Sequence, residues 1–548
     1  MLHFTHQSKE LQTGTVLKAT RVKTIALLFM LLLLLPTLLL AKGGVNKSSL
    51  SYKAASTEPI ARAEYNKTTK VLTFLYNIPS ATEDENLTVV KFYNKLDNPK
   101  WFNGKYSSFY WTQEIKSATS VIIEESFKNY AVPTCECMFN EFDNLKSITG
   151  LEYLNTTNVK SMRQMFCMCK ALTSLDITHL KTNTVTDMSY MFYTCGVSSL
   201  DLSNFNTENV TDMAYMFVNC NQLTWIDLSS FNTAKVEKMT GMFQGTAQLE
   251  HIYAKELFTT EQVTKSNNMF NYCRKLPNFD PKVVDKTHAN RFKDGYFEEL
   301  VAKSGEERIG AVIDNRLTAN HFNLNDDKDL YLFNNFVAKK AAYSRTMKEG
   351  TKWATLCLPF DVSLDGQNFR AFHLLSTTED GVELKEMEKV IQAGTPAVIM
   401  MKEAETKLQF SIDNSSIISN ISPATTEDDN YKFVGIYQQK EFNKDTDGNC
   451  FIVKGNMLMN PAKLLENEKT TKVACKPFRA YFVYNSETVG AKTLNISISD
   501  KTTAIDHLDA IGDGKAEYYD LQGRRLNEPQ KGINIVKRGG KTMKIVIK

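Results

Sequence analysis

LDLSNFNTENVTDMAYMFVNC, residues Leu200 to Cys220, carries two periodicities at once. Leu200-Asp201-Leu202 alternates as a half-buried strand does. Val210, Met213, Met216, Phe217 and Cys220 fall at the spacing of one face of a helix. Met-Phe recurs at 138, 165, 191, 216, 242 and 269, at intervals of 27, 26, 25, 26 and 27 residues. Other columns move with it. Val159, Val185, Val210, Val236 and Val263 precede the last five Met, and Thr156, Thr182, Thr207, Thr233 and Thr260 lie three residues earlier. Cys169, Cys195, Cys220, Thr246 and Cys273 follow, then Leu175, Leu200, Ile226 and Ile252. A strand this short cannot bury its own apolar face, whereas stacked copies bury it in one continuous core. The expectation is a mixed α/β, leucine-rich-repeat-like solenoid over 120–300, with about six copies of 25–27 residues and one strand and one helix in each.

The same stretch, with the entry segment NLKSITGLEYLNTTNVKSMRQM (Asn144 to Met165), resembles the BspA-like leucine-rich repeats of bacterial surface proteins. The resemblance covers about 120–280. It implies a cell-surface protein of the Bacteroidetes type with an interaction role. It does not name a ligand.

Residues between the inward Leu positions face outward on the concave side. They are Ser174, Asp176 and Thr178; Ser199, Asp201 and Ser203; Trp225, Asp227 and Ser229; then His251 and Tyr253. Ser174, Asp176, Asp201, Trp225, Asp227, His251 and Tyr253 are the candidate partner-binding residues, an acidic strip with aromatics at its C-terminal end. Exposed Trp and Tyr make good anchors. The plainer reading is a row of solvated Asp with aromatics packed at an edge. One carboxylate per copy is too few oxygens for a hard cation, so no metal is expected there.

Eleven of the 20 Met lie between 138 and 269, mostly in repeat columns, which marks them as core. Thr246 in the Cys column makes its cysteines small buried fillers. Cys135 and Cys137, and Cys167 and Cys169, form two C-x-C pairs, a spacing that structural zinc does not favour. Export favours a disulfide involving Cys135 or Cys137.

The flanks differ. Thr24 to Ala41, TIALLFMLLLLLPTLLLA, follows Lys18, Arg21 and Lys23 in the form of a secretory signal, so 1–41 is a signal peptide or an uncleaved N-terminal anchor. Residues 42–119 read as a β-rich N-terminal cap, with VLTFLYN and VVKFY as strands. KDGYF (Lys293 to Phe297) looks like an exit turn. Over 301–500, short apolar runs such as WATLCLPFDV, AGTPAVIMM and FRAYFVY predict an all-β sandwich-like domain. NKDTDGN (Asn443 to Asn449) matches half an EF-hand loop, but Lys454 stands where Glu is needed, so it reads first as a hairpin turn. Residues 501–516 look like a linker, and 517–548 a short three-stranded β tail. The tail is similar to the C-terminal sorting segments of secreted Bacteroidetes proteins, with Asn534 where Tyr is usual.

Charge nearly balances, with 65 basic against 62 acidic residues among 548, so no global field favours nucleic acid. A membrane enters only through the N-terminal segment if it is uncleaved. Metalloprotease, nucleophile-elbow, Walker and dinucleotide motifs are absent, and the eight His are scattered. No catalytic residue, cofactor or metal ligand is expected. The reading is an exported protein of the outer cell surface or extracellular space. It binds a host or neighbouring-cell surface protein or glycan through the concave face. The alternative is a secreted carbohydrate-active hydrolase or carbohydrate-binding protein using the 301–500 domain.

Overall fold

A computed structural model describes residues 61–78, 84–92, 109–402, 406–455, 457–485, 493–499, 517–520, 522–538 and 541–547. The signal or anchor expected over 1–41 and the linker over 501–516 lie outside the described residues. The protein is mostly β, with 36% strand and 5% helix. Among the described residues no helix is long and apolar enough to cross a membrane.

The expected helix in each copy is not there, and the mixed α/β leucine-rich solenoid is not the fold. Between Leu154 and Asp285 the chain makes turns and two three-residue strands, Trp225–Asp227 and His251–Tyr253. The cause is local. Tyr215 and Asn219 take φ of 60° and 53°. Equivalent residues do the same in every copy: Cys137 and Glu141, Gln164 and Met168, Tyr190 and Thr194, Gly241 and Gly245, Asn268 and Tyr272. A left-handed residue every fourth position cannot continue a right-handed helix. Backbone N–H groups alternate between two partners instead. Those of Met213, Tyr215, Phe217 and Asn219 donate sideways to the carbonyls of Lys238, Thr240, Met242 and Gln244 at 2.8–2.9 Å. Those of Met216 and Val218 close turns on Met213 and Tyr215. The same four sideways bonds join each copy to the next from Cys135 through Asn271. Successive tight turns therefore put Met213, Met216, Phe217 and Cys220 inward at a spacing a helix would also produce.

Three buried columns hold the turn stack together. Phe139, Phe166, Phe192, Phe217, Phe243 and Phe270 stack with ring centroids 5.6–5.7 Å apart. Each such pair contributes about 0.5–1.5 kcal/mol beyond burial. Each buried Thr clips its copy to the next with two hydrogen bonds. The Thr207 hydroxyl donates to the Asn232 carbonyl at 2.8 Å and accepts from the Asn232 N–H at 2.8 Å. Thr156, Thr182 and Thr233 repeat the clip on Lys181, Asn206 and Thr259. In the Cys column the thiols of Cys169, Cys220 and Cys273 donate to the carbonyls of Phe139, Phe192 and Phe243 at 3.0–3.1 Å. Thr246 does the same to Phe217 with its hydroxyl, which explains the exchange of Cys for Thr. All ten cysteines are free, so the disulfide expected at Cys135 or Cys137 is not formed. Burial pushes the Cys167 thiol up to about 12 and the Cys137 thiol to about 11.

The N-terminal cap continues directly into the stack. Leu87–Phe92, Ala61–Asn66 and Val71–Tyr76 pair antiparallel, and Ser120–Ile123 and Ser147–Thr149 extend the sheet in parallel. The first copy has carbonyls on its open edge. The Phe109 N–H donates to Glu136 at 2.9 Å and the Trp111 indole to Met138 at 2.7 Å.

Past the stack, Glu299–Ser304 and Glu307–Asp314 begin a seven-stranded sheet, and Trp353–Leu356 lies at the edge of a ten-stranded one. These sheets replace the expected sandwich of antiparallel layers. Phe322–Asn325 runs parallel to Phe336–Thr346, Gly381–Glu386 parallel to Thr493–Ile498, and a sheet curls into a half-barrel. The tail has four strands, not three, because Arg525–Leu526 adds an edge to Glu517–Tyr519. At the EF-hand-like stretch, Asp447 pairs with Lys440 at 3.1 Å and accepts from the Asn443 N–H at 2.7 Å.

Candidate functional site

The outward Asp column has a local job first. Oδ1 of Asp176 accepts from the N–H and hydroxyl of Thr178 at 3.0 and 2.7 Å. Those bonds hold its carboxyl below the usual carboxylate range. Asp201 does the same with Ser203 at 3.0 and 2.6 Å, and Asp227 accepts from the Ser229 N–H at 2.9 Å. These are turns capped by a side chain. Among the described residues the second carboxylate oxygen of each Asp accepts nothing, so the column presents a row of free oxygens.

The aromatic end of the strip is covered by the chain that follows. Trp225–Asp227 pairs parallel with His251–Tyr253, and Tyr253 in turn bridges to Glu298. The Glu298 carboxylate reaches His251 Nδ1 at 2.6 Å, across Gly310, where a Cβ would meet Glu298 Oε2 at 2.6 Å. That hydrogen bond raises the His251 pKa against burial. Tyr253 is 1% exposed, its phenol raised by burial and by Glu298. The hairpin of Glu299–Ser304 and Glu307–Asp314 then sets the Arg308 guanidinium 3.5 Å over the Trp225 ring.

A cleft of about 520 Å³ results. Asp201, Trp225, Asp227 and Lys255 line it from the stack, and Lys303 and Arg308 from the hairpin. Three candidate residues are thus brought together. Ser174 and Asp176 stay exposed farther along the stack, His251 is tied to Glu298, and Tyr253 is buried. The Ser229 hydroxyl, on the stack side, is buried without a hydrogen-bond partner, whereas its counterparts Thr178 and Ser203 bond to Asp176 and Asp201.

The repeat matches the family described as "Mycoplasma protein of unknown function, DUF285", over residues 106–224, 133–251 and 197–295. No curated protein and no solved structure matches the chain. The matched span holds the stack side of the cleft but stops short of Lys303 and Arg308.

Lys303 and Arg308 were not legible as site residues, because tertiary folding alone brings them to the strip, whereas Lys255 continues the outward alternation of His251 and Tyr253 and was passed over. A second feature was also missed. On the turn side, the Arg163 guanidinium lies 5.5 Å from the Tyr190 ring, which stacks on Tyr215 at 4.8 Å. Tyr215 covers Gly241, where a Cβ would lie 2.7 Å from the ring. The signal was available in the residue before each Met, a column of mixed type. Among the described residues no group of three or more His, Cys, Asp or Glu is placed to hold a metal ion.

Proposed function

We propose that this chain is an exported surface protein that binds a partner protein or glycan in the cleft between its turn stack and the Glu299–Asp314 hairpin. The observation that carries the reading is the cleft itself. Free carboxylate oxygens of Asp201 and Asp227 face Lys303 and Arg308 across about 520 Å³, beside a tryptophan. Such a site offers hydrogen-bond acceptors and donors to a ligand that has both, as peptide backbones and sugar hydroxyls do. The resemblance of the repeat to BspA-like surface proteins and the signal-like N-terminus support its place outside the cell. No catalytic role is proposed.

The test uses residues 42–548 against matrix proteins, neighbouring-cell surface proteins and a glycan array. Asn keeps the turn-capping acceptor and removes the charge. The Asp201→Asn, Asp227→Asn double variant should therefore keep its melting temperature and lose at least about tenfold in affinity for any partner found, the equivalent of one desolvated charge contact. Unchanged affinity would place binding elsewhere on the protein.

A further inference from the structure

A second cavity, of about 690 Å³, opens in the domain beyond the stack. It belongs neither to the cleft nor to the repeat. Strand Phe336–Thr346 sends Tyr343 and Arg345 to one face, two residues apart. Asp326 receives a two-pronged bond from Arg479 at 2.6 and 2.6 Å and the Tyr343 hydroxyl at 2.5 Å. Burial opposes that charge, but the Arg479 fork and the Tyr343 hydroxyl hold the Asp326 carboxyl below its usual range. The single carboxylate at the cavity floor is therefore already matched.

Arg345 has no such match. Among the described residues the acceptor it meets is the Thr355 carbonyl, at 2.9 Å. It is one donor bond for a group that has five N–H donors. Burial and the neighbouring Arg479 charge lower Arg345 to about 10, more than nearby Tyr343 and Asp326 raise it, so its charge is under-compensated beside the cavity. Of the remaining charges on the cavity wall, Lys476 pairs with Asp327 at 2.5 Å. Lys348 and Lys454 have no carboxylate partner among the described residues, and Glu349 is the lone acid against them. Trp353, whose ring packs at a tilt on Phe372 with centroids 5.6 Å apart, lines the same cavity.

We propose that this cavity binds an acidic saccharide, with the sugar's carboxylate or sulfate on Arg345 and its ring in the space beside Trp353. A planar guanidinium fork suits either anion. The volume lies within the usual range for small-ligand sites, about 300–1,000 Å³. The rim lysines draw the anion in, and the Arg345 fork orients it.

Titration calorimetry on the full chain tests this with four probes: tri-galacturonate, its methyl ester, a sulfated galactan tetrasaccharide that carries no carboxylate, and inorganic sulfate alone. One or both acidic saccharides should bind and the methyl ester should not. Which one binds assigns the anion as carboxylate or sulfate. Arg345→Gln should weaken that binding at least tenfold without lowering the melting temperature, since it removes a charge that has no carboxylate partner. Lys454→Gln, at the exposed rim, should weaken it less and flatten its salt dependence. The proposal is overturned if neither acidic saccharide binds, if the methyl ester binds as well, if inorganic sulfate alone binds, or if Arg345→Gln binds as the parent does.

Discussion

Replacing Thr207 by Val keeps the shape of a fully buried side chain and removes its hydroxyl. In the native chain that hydroxyl donates to the Asn232 carbonyl and accepts from the Asn232 N–H, both at 2.8 Å, so one atom holds two copies together twice. A typical hydrogen bond contributes about 0.5–1.5 kcal/mol net, and a buried group left unpaired costs about 1–3 kcal/mol. Val regains little, since it is no larger than Thr and the site is already 1% exposed. The expected loss is about 2.5 kcal/mol, or about 60-fold in the local opening equilibrium. Thr207→Ser keeps both bonds and loses a methyl, costing about 1 kcal/mol. Hydrogen exchange read by mass spectrometry reports this directly. Peptides covering 203–210 and 228–236 should exchange about 60-fold faster in Thr207→Val, and much less so in Thr207→Ser. Peptides covering the cap strand Ala61–Asn66 should not change. If Val and Ser behave alike, the Thr column is a packing column and its hydrogen bonds do not join the copies.

Two further outcomes follow from the ends of the stack. Trp111→Phe keeps an aromatic ring and removes the indole donor to Met138, so protection of residues 135–141 should fall by about 1–2 kcal/mol while that of 239–245 holds; equal loss at both would refute the capping role. His251 has a pKa raised from 6.5 by its hydrogen bond to Glu298, so the folded state favours the protonated ring. Its contribution is therefore complete below the ordinary histidine value and fades as pH rises through the raised folded value. The stability gap between the parent and Glu298→Gln should be widest below the ordinary histidine value and close as the pH rises past the raised folded one. A gap that stays constant would show that the two residues are not coupled through the proton.

The inward columns were legible because burial acts on residue type regardless of backbone conformation. Met213, Met216, Phe217 and Cys220 are all 0% exposed, as their spacing required. The backbone was not legible for the same reason. A helix and a run of tight turns both return to one side every three or four residues, so periodicity cannot separate them. What separates them is the left-handed pair in each copy, and its occupants include Tyr190, Tyr215, Met168 and Thr194, which carry no turn signature. Isolated, each would disfavour that conformation by about 1–2 kcal/mol. The sideways bonds to the next copy offset it, and those exist only once copies stack. The Thr column stood out in sequence for its regularity, but its partner is the backbone of another copy, so its role was invisible. At the candidate site the Asp and Trp positions followed from strand alternation. The cations of the hairpin did not, since Lys303 and Arg308 lie 102 and 107 residues from Asp201 and arrive through a hairpin fold.

The position of the cleft follows from how the stack ends. In the turn rows from Cys135 to Asn271 each sideways bond runs from an N–H of one copy to a carbonyl of the next, so the two ends of those rows present opposite groups; beside them the direction reverses, as from the Thr211 N–H to the Thr186 carbonyl. The first copy shows carbonyls, and donors meet them, the Phe109 N–H and the Trp111 indole. At the far end Val284 takes the Phe270 N–H, while Glu298 both takes the Ala254 N–H and donates its own N–H to the Ile252 carbonyl. Unpaired buried backbone groups are costly, so the strand edge at Tyr253 needs a partner, and Glu298 supplies both a donor and an acceptor there. From there the hairpin at Glu299–Asp314 is short enough to fold back over only the last outward rungs. It covers Tyr253, reaches Trp225 with Arg308, and leaves Asp201 facing an open gap. The acid in that gap is present because each turn needs a side-chain cap, and the base is present because the stack needs an end. Two structural requirements meet at one place, and the mixed-charge cleft is the result.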